Sequence, residues 1–131
     1  MGRHMMEDKK NPWKMFTIQR NVISRVIAAQ VTCTEHGISV LVAGGDRPHI
    51  GASSIVDGKG QRETIVFEGH RDDTISNRWA DRLYEMSQAP VVVSVGIHYD
   101  DATGPQIREI VAACEEMLAD ILDMLEENRT V

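Results

Sequence analysis

The chain has no surplus of positive charge. Its 14 Lys and Arg stand against 20 Asp and Glu, a formal net charge of -6. A non-specific nucleic-acid binder needs a basic face to replace condensed counterions, so the balance argues against that class. Long apolar runs are also missing. None approaches the roughly 20 residues that span a bilayer, and no charged-then-apolar leader precedes a small-residue cleavage site. The expectation is a soluble, cytoplasmic protein without a membrane partner. Cysteine is scarce: Cys33 and Cys114 lack the paired spacing of a zinc knuckle. One falls in a predicted strand and the other on the apolar side of a predicted helix, so both read as buried, reduced thiols.

At 131 residues the chain suits one domain with one core. Met1-Gly2-Arg3-His4-Met5 reads as a vector scar ahead of a second start at Met6, which sets His4 aside and leaves residues 6–131 as the expected domain. No internal repeat or low-complexity linker divides it.

Local pattern then predicts the elements. Arg25 to Glu35 is rich in β-branched residues and Ile38 to Ala43 resumes that character after His36-Gly37, which predicts a β-hairpin. Ile50 to Val56 and Arg62 to Phe67 flank the turn Asp57-Gly58-Lys59-Gly60 and predict a second hairpin. Past Gly69 the period changes: Ile75, Trp79, Leu83 and Met86 recur at helical spacing, Asp72 or Asp73 is placed to cap, and Pro90 closes the segment. The run Val91 to Ile97 predicts a central strand covered on both faces. Thr103-Gly104-Pro105-Gln106 has the form of a capping box, and Ile107, Val111, Cys114, Leu118, Ile121 and Leu125 follow as one seam. That seam faces the chain's own core or a second copy. The expected fold is α+β, a mostly antiparallel sheet of about five strands with two helices laid on it, in the order β-β-β-β-α-β-α.

Three segments place a histidine beside a glycine at a strand end. Gly44-Gly45-Asp46-Arg47-Pro48-His49-Ile50-Gly51 leaves one strand and enters the next. Glycine permits positive φ and close backbone approach, consecutive amides form an anion nest, and Arg47 adds a fork-shaped donor. An ordinary tight connection needs the same glycines, and both readings stand. Gly69-His70-Arg71-Asp72-Asp73 lies where a strand gives way to a helix, whose free amides and dipole favour an anion. At least one of Asp72 and Asp73 reads as the helix cap. Gly96-Ile97-His98-Tyr99-Asp100-Asp101 closes the central strand, where ligands of sheet proteins often sit; the alternative is a histidine satisfied by an aspartate. His36 sits in a hairpin turn and reads as a bystander.

Two chemistries suit such a pocket. Three imidazoles with Asp46, Asp72 or Asp100 make a donor set for zinc or another divalent ion, although no HxH or HxxxH spacing is present. Alternatively the histidines, Arg47, Arg71 and the turn amides hold a phosphate-bearing ligand such as a flavin mononucleotide against an apolar wall. Ser53 and Ser54 lack a nucleophile-elbow sequence, and neither cysteine lies in a histidine turn.

At VAGGDRPHIGA, EGHRDDTISNRWADRL and VVVSVGIHYDDATGPQI the chain resembles the prenylated-flavin chaperones of the LpdD-like family, which accompany UbiD-type aromatic-acid decarboxylases. The resemblance spans about Ile38 to Ile110. It marks Gly44, Gly45, Pro48, His49, Ile50 and Gly51, then Gly69, His70 and Asp72, then Gly96, Ile97, His98 and Asp100. It departs at Ala52-Ser53-Ser54, where a more apolar strand is expected, and at the short turn from Asp57 to Gln61. The cofactor it implies is prenylated FMN or FMN, and the partner a UbiD-type decarboxylase. With the residue chemistry, the expected cofactor-binding set is Gly44, Gly45, Asp46, Arg47, His49, Gly51, His70, Arg71, Asp72, His98 and Asp100. The leading expectation is thus a non-catalytic binding protein for a modified flavin mononucleotide, or an accessory subunit of the decarboxylase. A small metal-dependent enzyme using His49, His70 and His98 is the alternative. A structural subunit that docks on a larger partner through its last helix is a third, and homo-oligomerisation stays open.

Overall fold

The computed structural model describes residues 13–67 and 71–129. Its elements are β1 (Lys14–Val22), β2 (Arg25–Thr34), β3 (Gly37–Gly45), β4 (Ala52–Val56), β5 (Arg62–Val66), α1 (Asp73–Ser87), β6 (Val91–His98) and α2 (Gly104–Arg129). The strands form one sheet in the order β1-β2-β3-β6-β4-β5. Both expected hairpins are present, β2 with β3 and β4 with β5. The sheet is mixed, because β6 enters between β3 and β4 and runs parallel to β3 but antiparallel to β4.

The pattern-based order lacks one strand, β1, which pairs antiparallel with β2 along its whole length. No glycine separates them. Ile23 (φ 51°) and Ser24 (φ 62°) turn the chain in the left-handed region, the pair of conformations that a two-residue type I′ hairpin requires and that asparagine and glycine normally supply. An isoleucine in that region is rare, so the turn carries no signal in its residue types.

β6 is central, yet it is covered on one face only. Val91, Val93 and Val95 are fully buried, whereas Val92 is 38% exposed. The reason is the placement of the helices. Both pack into a single core with the same alternate strand residues: Trp79 and Leu83 of α1 and Met117, Leu118 and Ile121 of α2 join Phe16, Ile27, Val31, Val42 and Val93. The seam of α2 is therefore intramolecular from Ile110 onward. Ile107 and Val111, expected in that seam, are exposed, so the first turns of α2 stand clear of the core.

The serines of β4 have distinct tasks. Ser54 is buried, lies 2.7 Å from the Ser76 hydroxyl and donates to Asn77 Oδ1 at 2.6 Å. Thr64 of β5 donates to the same Oδ1. A polar residue in the core is stable when so satisfied, and this network fixes the start of α1 over β4 and β5. That is why the strand is less apolar than expected. Cys33 and Cys114 are free and buried, and desolvation pushes their thiols up to about 11 and about 12. No helix among the described residues is long and apolar enough to cross a membrane.

Candidate functional site

The parallel register of β3 and β6 sets Gly44 beside Ile97 and Gly45 beside His98, so both strands end at one edge. β4 begins opposite Val95, and residues 46–51 must therefore cross the end of β6. They do so in close contact. The Asp46 and Arg47 amides donate to the His98 carbonyl at 2.7 and 3.3 Å, His49 N–H donates to Gly96 O at 3.3 Å, and Gly51 N–H donates to Val95 O at 2.8 Å. These amides already have acceptors, so the crossing is a tight connection and not an open nest. The glycines make it: a Cβ on Gly45 would sit 2.2 Å from the His98 carbonyl oxygen, and one on Gly96 would sit 1.7 Å from that of His49.

Asp72 anchors the second side of the site. It holds the N-cap position of α1, as expected, but its carboxylate makes no capping bond. Instead Oδ1 accepts the Ile97 amide at 3.1 Å, and Oδ2 lies 3.3 Å from His49 Nε2. Ile97 lies two residues beyond Val95, where the pairing of β4 with β6 ends, and the buried carboxylate takes its amide there. His49 Nδ1 faces the Arg47 carbonyl at 2.9 Å. Both ring nitrogens thus face oxygen atoms, one of the loop backbone and one of the Asp72 carboxylate.

The solvent side is a lattice of charges. His98 Nε2 and Arg47 Nε both reach Asp100 Oδ1, at 2.9 and 3.3 Å. Asp100 N–H donates to Asp46 Oδ2 at 2.9 Å, and Arg25 donates to Asp46 Oδ1 at 2.8 Å. The Asp100 amide and then the Arg25 guanidinium hold the Asp46 carboxyl below its ordinary value. Arg25 is a site residue that pattern reading overlooked, because it opens β2 far from the three turns in sequence. The expected capping box is formed: Gln106 Oε1 accepts Thr103 N–H and Thr103 Oγ1 accepts Gln106 N–H. Arg71 is exposed just ahead of α1, and Ile50 and Phe67 expose apolar surface at the ends of β4 and β5.

The structure accordingly brings His49 and His98 to one strand end, each on a different carboxylate. Gly69 and His70 lie outside the described residues. Among the described residues no three His, Cys, Asp or Glu side chains could hold a metal ion. A cleft of about 380 Å³ opens elsewhere, lined by Lys14, Cys33, Glu35, Met86 and Leu125. It is of ligand size but contains none of the expected site residues, and the candidate site at the end of β6 rests on its chemistry.

The sequence model of the prenylated flavin chaperone LpdD-like domain matches residues 23–126. The chain belongs to this family. Protein LpdD of Lactiplantibacillus plantarum is 26% identical over 96 residues, which are 70% of this chain and 71% of that protein. A solved chain from a chaperone complex for yeast 20S proteasome assembly superposes with a TM-score of 0.53 at 16% identity, covering 86% of this chain and 96% of that one. This second likeness shows the fold alone. Membership of the LpdD-like family supports a chaperone or accessory role, and a chaperone family implies binding to a partner protein.

Proposed function

We propose that the chain holds a prenylated flavin mononucleotide at the end of β6 and hands it to, or supports, a UbiD-type aromatic-acid decarboxylase. The observation that carries the reading is the use made of Asp72. Because its carboxylate bonds Ile97 and not its own helix, the N-terminus of α1 lacks a side-chain cap, and Arg71 stands beside it. A helix start with an adjacent guanidinium suits a phosphate monoester. Of the neighbouring acids, Asp46 is paired with Arg25, Asp100 with Arg47 and His98, and Asp72 lies against His49, whereas Asp73 in the first turn of α1 is the acid that a phosphate there would have to tolerate. Ile50 and Phe67 supply apolar surface for a flavin ring. In this reading Gly45 and Gly96 shape the site by letting the crossing loop lie close to β6, and Gly44 by letting β3 lie against β2, while Arg71 and the helix start contact phosphate.

A carrier must also release its cargo. The side chains of Arg47 and His98 are 73% and 46% exposed, and contacts at such positions are screened by solvent and salt. Reversible holding follows more naturally from this rim than catalysis does. The test is a titration of the protein with prenylated FMN, FMN and riboflavin. Losing one charged hydrogen bond of about 1.5 to 3 kcal/mol, Arg71→Ala should weaken the phosphate-bearing flavins about ten- to 150-fold. Riboflavin, which lacks the phosphate, should be unaffected. Absence of binding of either nucleotide to the wild-type chain would sink the reading.

A further inference from the structure

Both helices cover one face of the sheet, and the other face carries a continuous neutral surface. Its outward residues are Met15, Thr17 and Gln19 on β1, Val26, Ala28 and Gln30 on β2, and Ser39, Leu41 and Ala43 on β3. Asn21, Thr32 and Thr34 lie on the same side, with Val92, Ser94 and, at the strand end, His98 on β6, Ser53 and Ile55 on β4, and Ile65 on β5. Met15, Val26, Leu41, Ile55, Ile65 and Val92 all count among the exposed large hydrophobics. Among the described strand residues Glu63, at the β5 edge, is the outward Asp, Glu, Lys or Arg, whereas 26% of the whole chain is charged. Depletion of charge around exposed aliphatic side chains marks the core of an interface, not an ordinary solvated face.

We infer that a second copy of this chain covers this face, sheet against sheet. Three observations select that occupant. The chain carries a net charge of -6, so two copies meeting by their charged surfaces repel, whereas this face brings almost no like charge together. Its dimensions also suit a dimer. Six strands spaced about 4.8 Å apart and roughly seven residues long present on the order of 600 Å², comparable to the ~800 Å² per partner of a standard interface. Finally, the relief is self-complementary. Leu41 stands opposite Ser94 in the register, and Ser94 opposite Ser53, so a large side chain adjoins a small-residue hollow on each copy. The two serine hydroxyls lie 2.7 Å apart and satisfy each other, which lowers the penalty of burying them. Stacked sheets lie about 10 Å apart, a gap that such side chains fill.

The test is the solution mass of the full chain by sedimentation equilibrium, with circular dichroism to confirm folding. The expected mass is twice 14.6 kDa. Leu41→Arg should give a folded monomer. Should that variant fail to fold, Gln30→Lys serves, because Gln30 is already exposed on a single chain and a lysine there disturbs only a covered face. Ile107→Arg, on the exposed start of α2, should stay dimeric. A wild-type monomer, or an assembly that survives both sheet substitutions in folded protein, would overturn the inference.

Discussion

Replacing Asp72 separates a bracing carboxylate from a capping one. The residue is 7% exposed, and its carboxylate accepts the Ile97 amide at 3.1 Å. Asp72→Ala removes a charge-assisted hydrogen bond and leaves that amide without its acceptor, which costs about 2 to 3 kcal/mol. Asp72→Asn keeps an oxygen for the Ile97 amide but loses the charge and sets an NH2 group against His49, so about 1 kcal/mol is expected. For a domain of this size 1 kcal/mol moves Tm by roughly 4 °C, giving drops of about 8 to 12 °C and about 4 °C. Asp72→Ser decides the matter. Serine is among the best N-caps, and replacing it by alanine at such a position costs typically ~1 kcal/mol, but its hydroxyl is too short to reach Ile97. If the carboxylate braces β6, serine can regain at most the ~1 kcal/mol of a cap and should stay less stable than wild type in urea unfolding, and exchange of the Ile97 amide should quicken in both variants. Full recovery of stability by serine would refute the reasoning and return Asp72 to an ordinary cap.

The glycines of the crossing should be intolerant. Gly45→Ala combines a φ of 84° with a 2.2 Å clash, and Gly96→Ala forces the loop off β6, so each should lose more than about 2 kcal/mol. Gly104→Ala, whose Cβ would meet only the Arg108 side chain at 3.6 Å, should stay within about 0.5 kcal/mol in the same denaturant assay. Acid titration should expose Asp46. Its carboxyl titrates below the ordinary 3.8, so its contribution is in place above that value and is lost as pH falls through the folded value. Asp46→Asn should therefore be less stable than wild type at neutral pH, with the gap closing as pH drops below about 4. With thiols pushed up to about 11 and about 12 by burial, Cys33 and Cys114 should label with a thiol reagent only as fast as the protein unfolds; rapid native labelling of both would contradict their burial.

Much of the fold was legible because the relevant signals are local. Alternation in β2, the glycine turn between β4 and β5, the four-residue steps of α1 and the capping box of α2 each act within a few residues. β1 escaped because its turn uses Ile23 and Ser24 in a conformation these residues seldom adopt. The exposure of Val92 was illegible for another reason. Whether a valine run is covered once or twice depends on which faces the helices choose, and that is set by the packing of α1 and α2 together, not by the run itself.

The site was legible through its glycines, though they act differently from a phosphate loop. Each of the two described histidine turns carries a glycine that admits the backbone of the other: Gly45 lies against the His98 carbonyl, and Gly96 against that of His49. The repeated pairing of glycine and histidine thus reports a mutual fit of two strand ends, which draws His49 and His98 to one edge without an open nest. What the pattern hides is the division of labour among the acids. Asp46, Asp72 and Asp100 look alike in sequence, yet one binds Arg25, one completes the hydrogen bonding of β6, and one joins Arg47 to His98. Only the register of β3 with β6 decides which partner each can reach. On the proposed function, a ligand at this edge meets groups already committed to one another, and it must either fit around them, as proposed at the start of α1, or replace an existing pair at the cost of that pair.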